Sequence, residues 1–379
     1  MIREIKILIN LYSSFFYKRD PDLFVFGAWS GKEFSDNSKY LYLQCLSENI
    51  NAVWITKSEE IYSKLKQKNM PVCMYDSEDG INLCKRAKYA VFCSKIDDIN
   101  FEYIGGAVLI NLWHGIPIKK IMNDDKITRS KRPIRHKLED FFIKPLLKKC
   151  YLVSPSSAIT RIYESAFRIP RKRILELGQP RNDIFFQKNH CMSLSYNNYN
   201  KVIVYLPTHR NEGRTKMDIR SLIDMDAMEE YCRENNYIFI YKKHHLHYNE
   251  IDEINGYEYI KDLTKERPDP QELLMVADVL ISDYSGSYID YLLLDRPIVF
   301  FNYDYEHYKS YDRDFYFKYD DVTPGEKIEK KEFLIDAIDR ALNGKDEYLE
   351  ERKRVRNIFF NENNQNLVCH NIVNAIKKI

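Results

Sequence analysis

Tyr241-Lys242-Lys243-His244-His245-Leu246-His247 places three histidines within four positions, directly behind two lysines. Imidazoles at that density suit a transition metal, but the run contains no Cys, Asp or Glu to complete a tetrahedral zinc site. Adjacent lysines would also repel a cation. An anion is the better match, and no metal is expected. Two other short stretches carry related chemistry. Pro207-Thr208-His209-Arg210 follows the apolar run VIVYL, and Asp283-Tyr284-Ser285-Gly286-Ser287 follows DVLIS and leads into the helical pattern SYIDYLLLD. Hydroxyls, a glycine and backbone N–H groups at a helix start suit phosphate. Thr/Arg, Lys/His and Ser/Gly/Ser at three neighbouring strand ends together describe an anion pocket.

A fourth stretch, Trp113-His114-Gly115-Ile116-Pro117, follows AVLINL. Gly115 permits a tight turn and Pro117 can open a helix, which leaves His114 at an apex. An imidazole there can take a hydroxyl proton near neutral pH; a histidine that merely caps the turn is the competing reading. Asp224-Met225-Asp226 has the D-x-D form of metal-dependent sugar transferases, but lies inside the helical run IRSLIDMDAMEEYCREN and reads as a solvated helix face.

The elements that must position these residues are short β-rich runs alternating with helical patterns, the mark of parallel α/β sheets. Strands are expected at 23–29, 51–56, 71–75, 89–94, 107–115, 151–156 and 174–178. After a polar stretch at 190–201 they resume at 202–208, 237–243, 257–262, 278–285 and 296–304. Two doubly wound domains facing one another follow, with ligands at the carboxyl ends of strands. The expected boundaries are 1–195, 196–350 and a C-terminal helical segment 351–379.

A chain of 379 residues favours two domains, and a composition 44% hydrophobic with 30% charged excludes disorder. The formal net charge of +2 argues against a nucleic-acid partner. Eight cysteines without a C-x-x-C pair read as reduced, packed thiols. No run reaches the ~20 apolar residues that span a bilayer. Two segments suit a membrane surface instead. In 119–149 Lys and Arg outnumber Asp and Glu eleven to four, with apolar residues interleaved. Residues 1–19 are amphipathic, which fits either a membrane surface or packing on their own domain.

In order, NLWHGIPIKKI, LGQPRND, YLPTHR, YKKHH, DVLISDYSGSYIDYLLLDRPIVFF and RDFYFKYDDVTPGE resemble the CDP-glycerol glycerophosphotransferases of teichoic acid and capsule synthesis. The likeness covers roughly residues 105–345, and the chain is similar in length to the short glycerol-phosphate primases. The resemblance implies a GT-B fold, two Rossmann-like doubly wound domains facing across a cleft, and a peripheral enzyme at the cytoplasmic face of the membrane. It also implies a CDP-glycerol donor, an acceptor carried on a polyprenyl diphosphate lipid, and no cofactor. By position it makes His114 the base and His244 a second catalytic residue on the donor pyrophosphate. Thr208, Arg210, Lys242, Asp283, Ser285, Gly286, Ser287, Asp290 and Arg313 become substrate-binding residues. The sequence departs from the family at His245 (usually proline), Gly286 (usually a second serine) and His209 (often aromatic). CDP-ribitol or another CDP-polyol is therefore an alternative donor, and a GT-B nucleotide-sugar transferase an alternative enzyme.

Overall fold

The computed structural model describes residues 2–126, 146–187, 194–208, 217–243, 254, 256–306, 308, 314–361 and 367–379. The first seven strands are β1 (Asp20–Phe26), β2 (Ala52–Thr56), β3 (Val72–Met74), β4 (Ala87–Phe92), β5 (Val108–Asn111), β6 (Tyr151–Ser154) and β7 (Ile174–Glu176). They form a sheet in the order β3-β2-β1-β4-β5-β6-β7. The next six are β8 (Lys201–Tyr205), β9 (Tyr237–Tyr241), β10 (Ile260–Asp262), β11 (Val279–Ser282), β12 (Ile298–Phe301) and β13 (Glu326–Ile328). Their order is β10-β9-β8-β11-β12-β13. Every pairing in both sheets is parallel.

A parallel sheet is covered on both faces, so its strands read as continuous apolar runs rather than alternating ones. All five residues of β2 and all five of β9 are buried. The covering helices start where the sequence supplies caps: Ser58, Ser77, Ser156 and Asp269 each accept a backbone N–H of the first helical turn. Each sheet changes direction between its first and fourth strands, β1/β4 and β8/β11. That switch point is where doubly wound folds bind ligands.

Twelve strands lie where the sequence puts them. The thirteenth, β13, is three residues at a sheet edge with only Ile328 buried, too short for an apolar run to announce it. The run around Asp224-Met225-Asp226 is two helices, Ile219–Leu222 and Met225–Asn235. Asp224 caps the second by accepting the Ala227 N–H at 3.2 Å, and Asp226 accepts the Tyr257 hydroxyl at 2.8 Å. Both carboxylates are thus used in local structure.

The chain forms two compact units. One comprises 1–114, 122–186 and 360–379; the other comprises 115–121 and 187–359. The chain leaves the first unit before residue 196, and the C-terminal helices, expected as one segment 351–379, divide between the units. Leu349–Phe359 stays with the second, while Val368–Lys377 returns to the first. There Asp183 accepts the backbone N–H groups of Val368 and Cys369 at 2.8 and 2.7 Å.

The N-terminal helix Ile2–Ser13 packs on its own unit along one side and leaves apolar residues exposed on the other. Leu11 and Ser14 are buried against the first unit, where the Ser14 hydroxyl accepts the Gly105 N–H at 2.7 Å. Ile5, Ile9, Tyr12 and Phe16 remain 51%, 60%, 61% and 88% exposed. The seven described cysteines are unpaired thiols; burial pushes Cys84 and Cys150 up to about 12.

Arg352, on the helix Leu349–Phe359, is 1% exposed. It forms a two-pronged pair with Asp346 and lies 3.6 Å from Asp295, which ends the helical stretch after Ser287. Both carboxylates keep access to water, so Arg352→Ala loses a buried, charge-assisted hydrogen-bonded side chain without stranding a charge. It should cost about 1.5–3 kcal/mol, read as a lower urea midpoint. Hydrogen bonding to Arg352 depresses the Asp346 pKa, so the pair's stabilisation is present above the ordinary carboxylate range. It should be lost as pH falls through the depressed value.

Candidate functional site

In the first unit, His114 lies just beyond the end of β5, half-buried. Its Nδ1 faces the Cys93 carbonyl at 3.3 Å. A carbonyl only accepts, so Nδ1 carries the proton and Nε2 is the basic nitrogen. The Trp29 and Trp113 rings flank the imidazole, with centroids at 5.0 and 4.2 Å. Trp29, Ser30 and Trp113 all have left-handed backbone, at φ 47°, 56° and 52°. Bulky L-residues adopt that conformation only where surroundings enforce it, at a cost of about 1–3 kcal/mol each.

One enforcing group is Asp98. Its buried carboxylate accepts the Ser30 N–H at 2.7 Å, the Cys93 and Ser94 N–H groups at 3.0 and 2.7 Å, and the Ser94 hydroxyl at 2.6 Å. Burial pushes this carboxyl above its ordinary pKa, while the four hydrogen bonds pull it back. Asp98 thus ties the loop after β1, which carries Trp29, to the loop after β4, which supplies the Cys93 carbonyl. Gly27 makes the approach possible, since a Cβ there would lie 2.1 Å from the Asp98 carbonyl oxygen.

A second network holds the chain at His114 itself. Asn37 donates to the Trp113 carbonyl at 2.7 Å, and Arg181 Nη1 donates both to the His114 carbonyl and to Asp36, each at 2.9 Å. The sequence reading includes Arg181 only as part of LGQPRND and passes over Asp36, Asn37 and Asp98. Nothing local marks them, because their partners lie far away in the chain.

In the second unit, Thr208 and Asp283 meet at the β8/β11 switch point. Asp283 accepts the Thr208 N–H at 3.0 and 3.1 Å, its hydroxyl at 2.6 Å and the Tyr284 N–H at 2.6 Å. Ser285, Gly286 and Ser287 follow, partly exposed, with the two serine hydroxyls 2.8 Å apart. Asp290 is buried, with the Gln271 amide donating to it at 3.4 Å. The loop rests on stacked rings: Tyr284 lies 3.8 Å from Tyr308, and Tyr319 donates to the Asp283 carbonyl at 2.8 Å.

Lys242 is buried at the end of β9. Its neighbour Lys243, to which the sequence reading gives no role, is fully buried and donates through Nζ to the Met217 carbonyl at 2.8 Å. That bond fixes the chain just before His244. His244, Arg210 and Arg313 lie outside the described residues, as do His209, His245, His247 and the basic stretch 127–145.

The segment 115–121, which immediately follows His114, belongs to the second unit. Lys119 bridges Phe315 and its Nζ bonds the Tyr308 hydroxyl, while Tyr316 N donates to the Ile118 carbonyl at 2.8 Å. The Lys120 ammonium pairs with Asp314 at 3.0 Å. These two lysines therefore have partners within the second unit. The segment also accounts for Gly286: a Cβ there would sit 3.2 Å from the Ile116 carbonyl oxygen, tighter than ordinary contact.

The chemical content is one oriented imidazole in the first unit, and in the second a rigid, hydroxyl-bearing loop at a switch point. If Asp98 is what fixes the surroundings of the imidazole, Asp98→Ala leaves three backbone N–H groups and one hydroxyl without their acceptor. The variant should lose on the order of 3 kcal/mol of stability in urea unfolding.

The family model for CDP-glycerol:poly(glycerophosphate) glycerophosphotransferases matches residues 10–378. A teichoic acid glycerol-phosphate transferase of Staphylococcus aureus (strain NCTC 8325 / PS 47) is 30% identical over 347 residues, 88% of this chain and 87% of that protein. The solved structure of the wall teichoic acid polymerase TagF superposes with a TM-score of 0.79 at 25% identity, covering 99% of this chain and 93% of that one. A histidine-to-asparagine variant of TagF soaked with CDPG gives 0.79 at 25% identity, with coverage of 95% and 89%. With two parallel α/β sheets of GT-B type and a family match over nearly its whole length, the chain belongs to the CDP-glycerol:poly(glycerophosphate) glycerophosphotransferase family of enzymes.

Proposed function

We propose that the protein transfers glycerol phosphate from CDP-glycerol to a hydroxyl of a lipid-linked glycan or growing polyol-phosphate chain, in teichoic acid or capsular polymer synthesis. The acceptor oxygen attacks the β-phosphorus, its proton passes to Nε2 of His114, and the bond from that phosphorus to the bridging oxygen breaks to release CMP. The observation that carries the reading is the orientation of His114, whose Nδ1 is turned to the Cys93 carbonyl so that the other nitrogen holds the lone pair.

In this reading Ser285, Ser287 and backbone N–H groups near Gly286 hold the donor phosphates, with Lys242, Arg210, Arg313 and His244 completing the charge; Thr208, whose N–H and hydroxyl both donate to Asp283, shapes the pocket wall instead. Asp283 and Asp290 support the pocket from within: both are buried, and the carboxylate of Asp283 is occupied by Thr208 and Tyr284. The protein works at the cytoplasmic face of the membrane, bound peripherally. Ile5, Ile9 and Tyr12 form an exposed apolar stripe on an amphipathic helix, with Phe16 exposed in the turn that follows, as interfacial binding requires. No described helix is long and apolar enough to cross a bilayer.

His114→Ala should lower kcat by about 10²–10⁴-fold while CDP-glycerol still binds. A fully active variant would remove the base assignment. CMP release tested separately with CDP-glycerol, CDP-ribitol and UDP-sugars decides the donor. Release from CDP-ribitol alone would replace glycerol by ribitol, and UDP release from a UDP-sugar would replace the reaction class. Exchanging Ile9 or Phe16 for Glu should weaken sedimentation with anionic vesicles roughly tenfold or more. Unchanged sedimentation would sink the helix as an anchor.

A further inference from the structure

We infer that Arg181 is a positioning residue for His114, setting the direction in which the imidazole leaves the main chain. The inference rests on His114 acting as the base. Two peptide planes flank a residue, and their orientation fixes its φ and ψ and hence the direction of its Cα–Cβ bond. Both planes at His114 are held by one buried cluster. Asn37 Nδ2 donates to the Trp113 carbonyl at 2.7 Å, which fixes the plane before it. Arg181 Nη1 donates to the His114 carbonyl at 2.9 Å, which fixes the plane after it.

The two holders are themselves joined. The Arg181 backbone N–H donates to Asn37 Oδ1 at 3.1 Å, and its Nη1 is shared with Asp36 Oδ1 at 2.9 Å. Little of this faces water: Asn37 is fully buried, and the Arg181 and Asp36 side chains are 12% and 9% exposed. Asp36 and Trp113 both sit in the left-handed region, at φ 62° and 52°, so the geometry is imposed by the cluster rather than by local preference. The remaining freedom of His114 is rotation of its side chain, which Trp29, Trp113 and the Cys93 carbonyl confine.

The Nη1 of arginine carries two N–H bonds in a fixed plane, so one nitrogen can serve the carboxylate and the carbonyl together. Arg181→Lys keeps the charge beside Asp36 but loses that planar geometry; Arg181→Met loses both. Misplacing a reacting group by an ångström can cost about 100-fold, so kcat of Arg181→Met should fall by about that factor. Arg181→Lys should fall between it and the wild type.

The test measures kcat against pH with CDP-glycerol and a synthetic lipid-linked disaccharide, alongside the dissociation constant of CDP-glycerol by calorimetry. Arg181→Met should keep the donor constant, since the proposed donor residues lie in the other unit. It should also keep the acidic limb of the pH profile, because the imidazole remains; His114→Ala should lose that limb. Should Arg181→Met not fold, Arg181→Lys carries the same comparison. Wild-type kcat in the Arg181 variants beside an inactive His114→Ala overturns the positioning role and leaves the base standing. A parallel loss of donor binding overturns it too, as general damage. An active His114→Ala removes the base, and the inference with it.

Discussion

A buried carboxylate that collects backbone N–H groups at the sheet switch point is the interaction on which both units depend. Where a parallel sheet changes direction, the loops leaving its first and fourth strands diverge, and their N–H groups have no ladder to join. Asp98 collects them in the first unit, joining Ser30 after β1 to Cys93 and Ser94 after β4. Asp283 does the same in the second, joining Thr208 after β8 to Tyr284 after β11. In both cases the acid comes from the chain after the fourth strand and reaches the loop after the first. A buried charge is costly unless hydrogen-bonded, so each pays with several short contacts and becomes rigid as a result.

That rigidity sets what each unit can present. Around Asp98 it is spent on strained backbone, with Trp29 and Ser30 held at positive φ beside one imidazole. Around Asp283 it supports a loop of hydroxyls lying on a stack of tyrosines. One environment orients an imidazole, as the proposed base requires; the other presents fixed hydroxyls, as the proposed phosphate site requires. The same strand order thus serves two different tasks.

Much of this is legible in the sequence, for identifiable reasons. Doubly buried strands such as β2 and β9 announce themselves as apolar runs, and the residues just after them are where a doubly wound sheet keeps its ligands. His114, Thr208 and Ser285 follow from that rule alone. The supporting residues do not. Arg181 and Asn37 lie 144 positions apart, and their pairing exists only once the chain has folded. Asp283 illustrates the opposite difficulty: it sits in a motif beside the proposed ligand residues, yet its carboxylate is turned inward on Thr208. Lys243 and Lys242 look alike as letters, and only burial separates the anchor from its neighbour. Sequence spacing finds strand ends; it does not say which way a side chain faces.

The return of Val368–Lys377 to the first unit has a consequence for biogenesis. Asp183 caps that helix, and its buried face of Cys369, Ile372, Val373 and Ile376 completes the unit's packing. On the ribosome those residues emerge only after the whole of the second unit has been made. Domains usually acquire their structure in the order of synthesis. Here the unit made first must wait, with apolar surface uncovered, until the unit made second has left the exit tunnel.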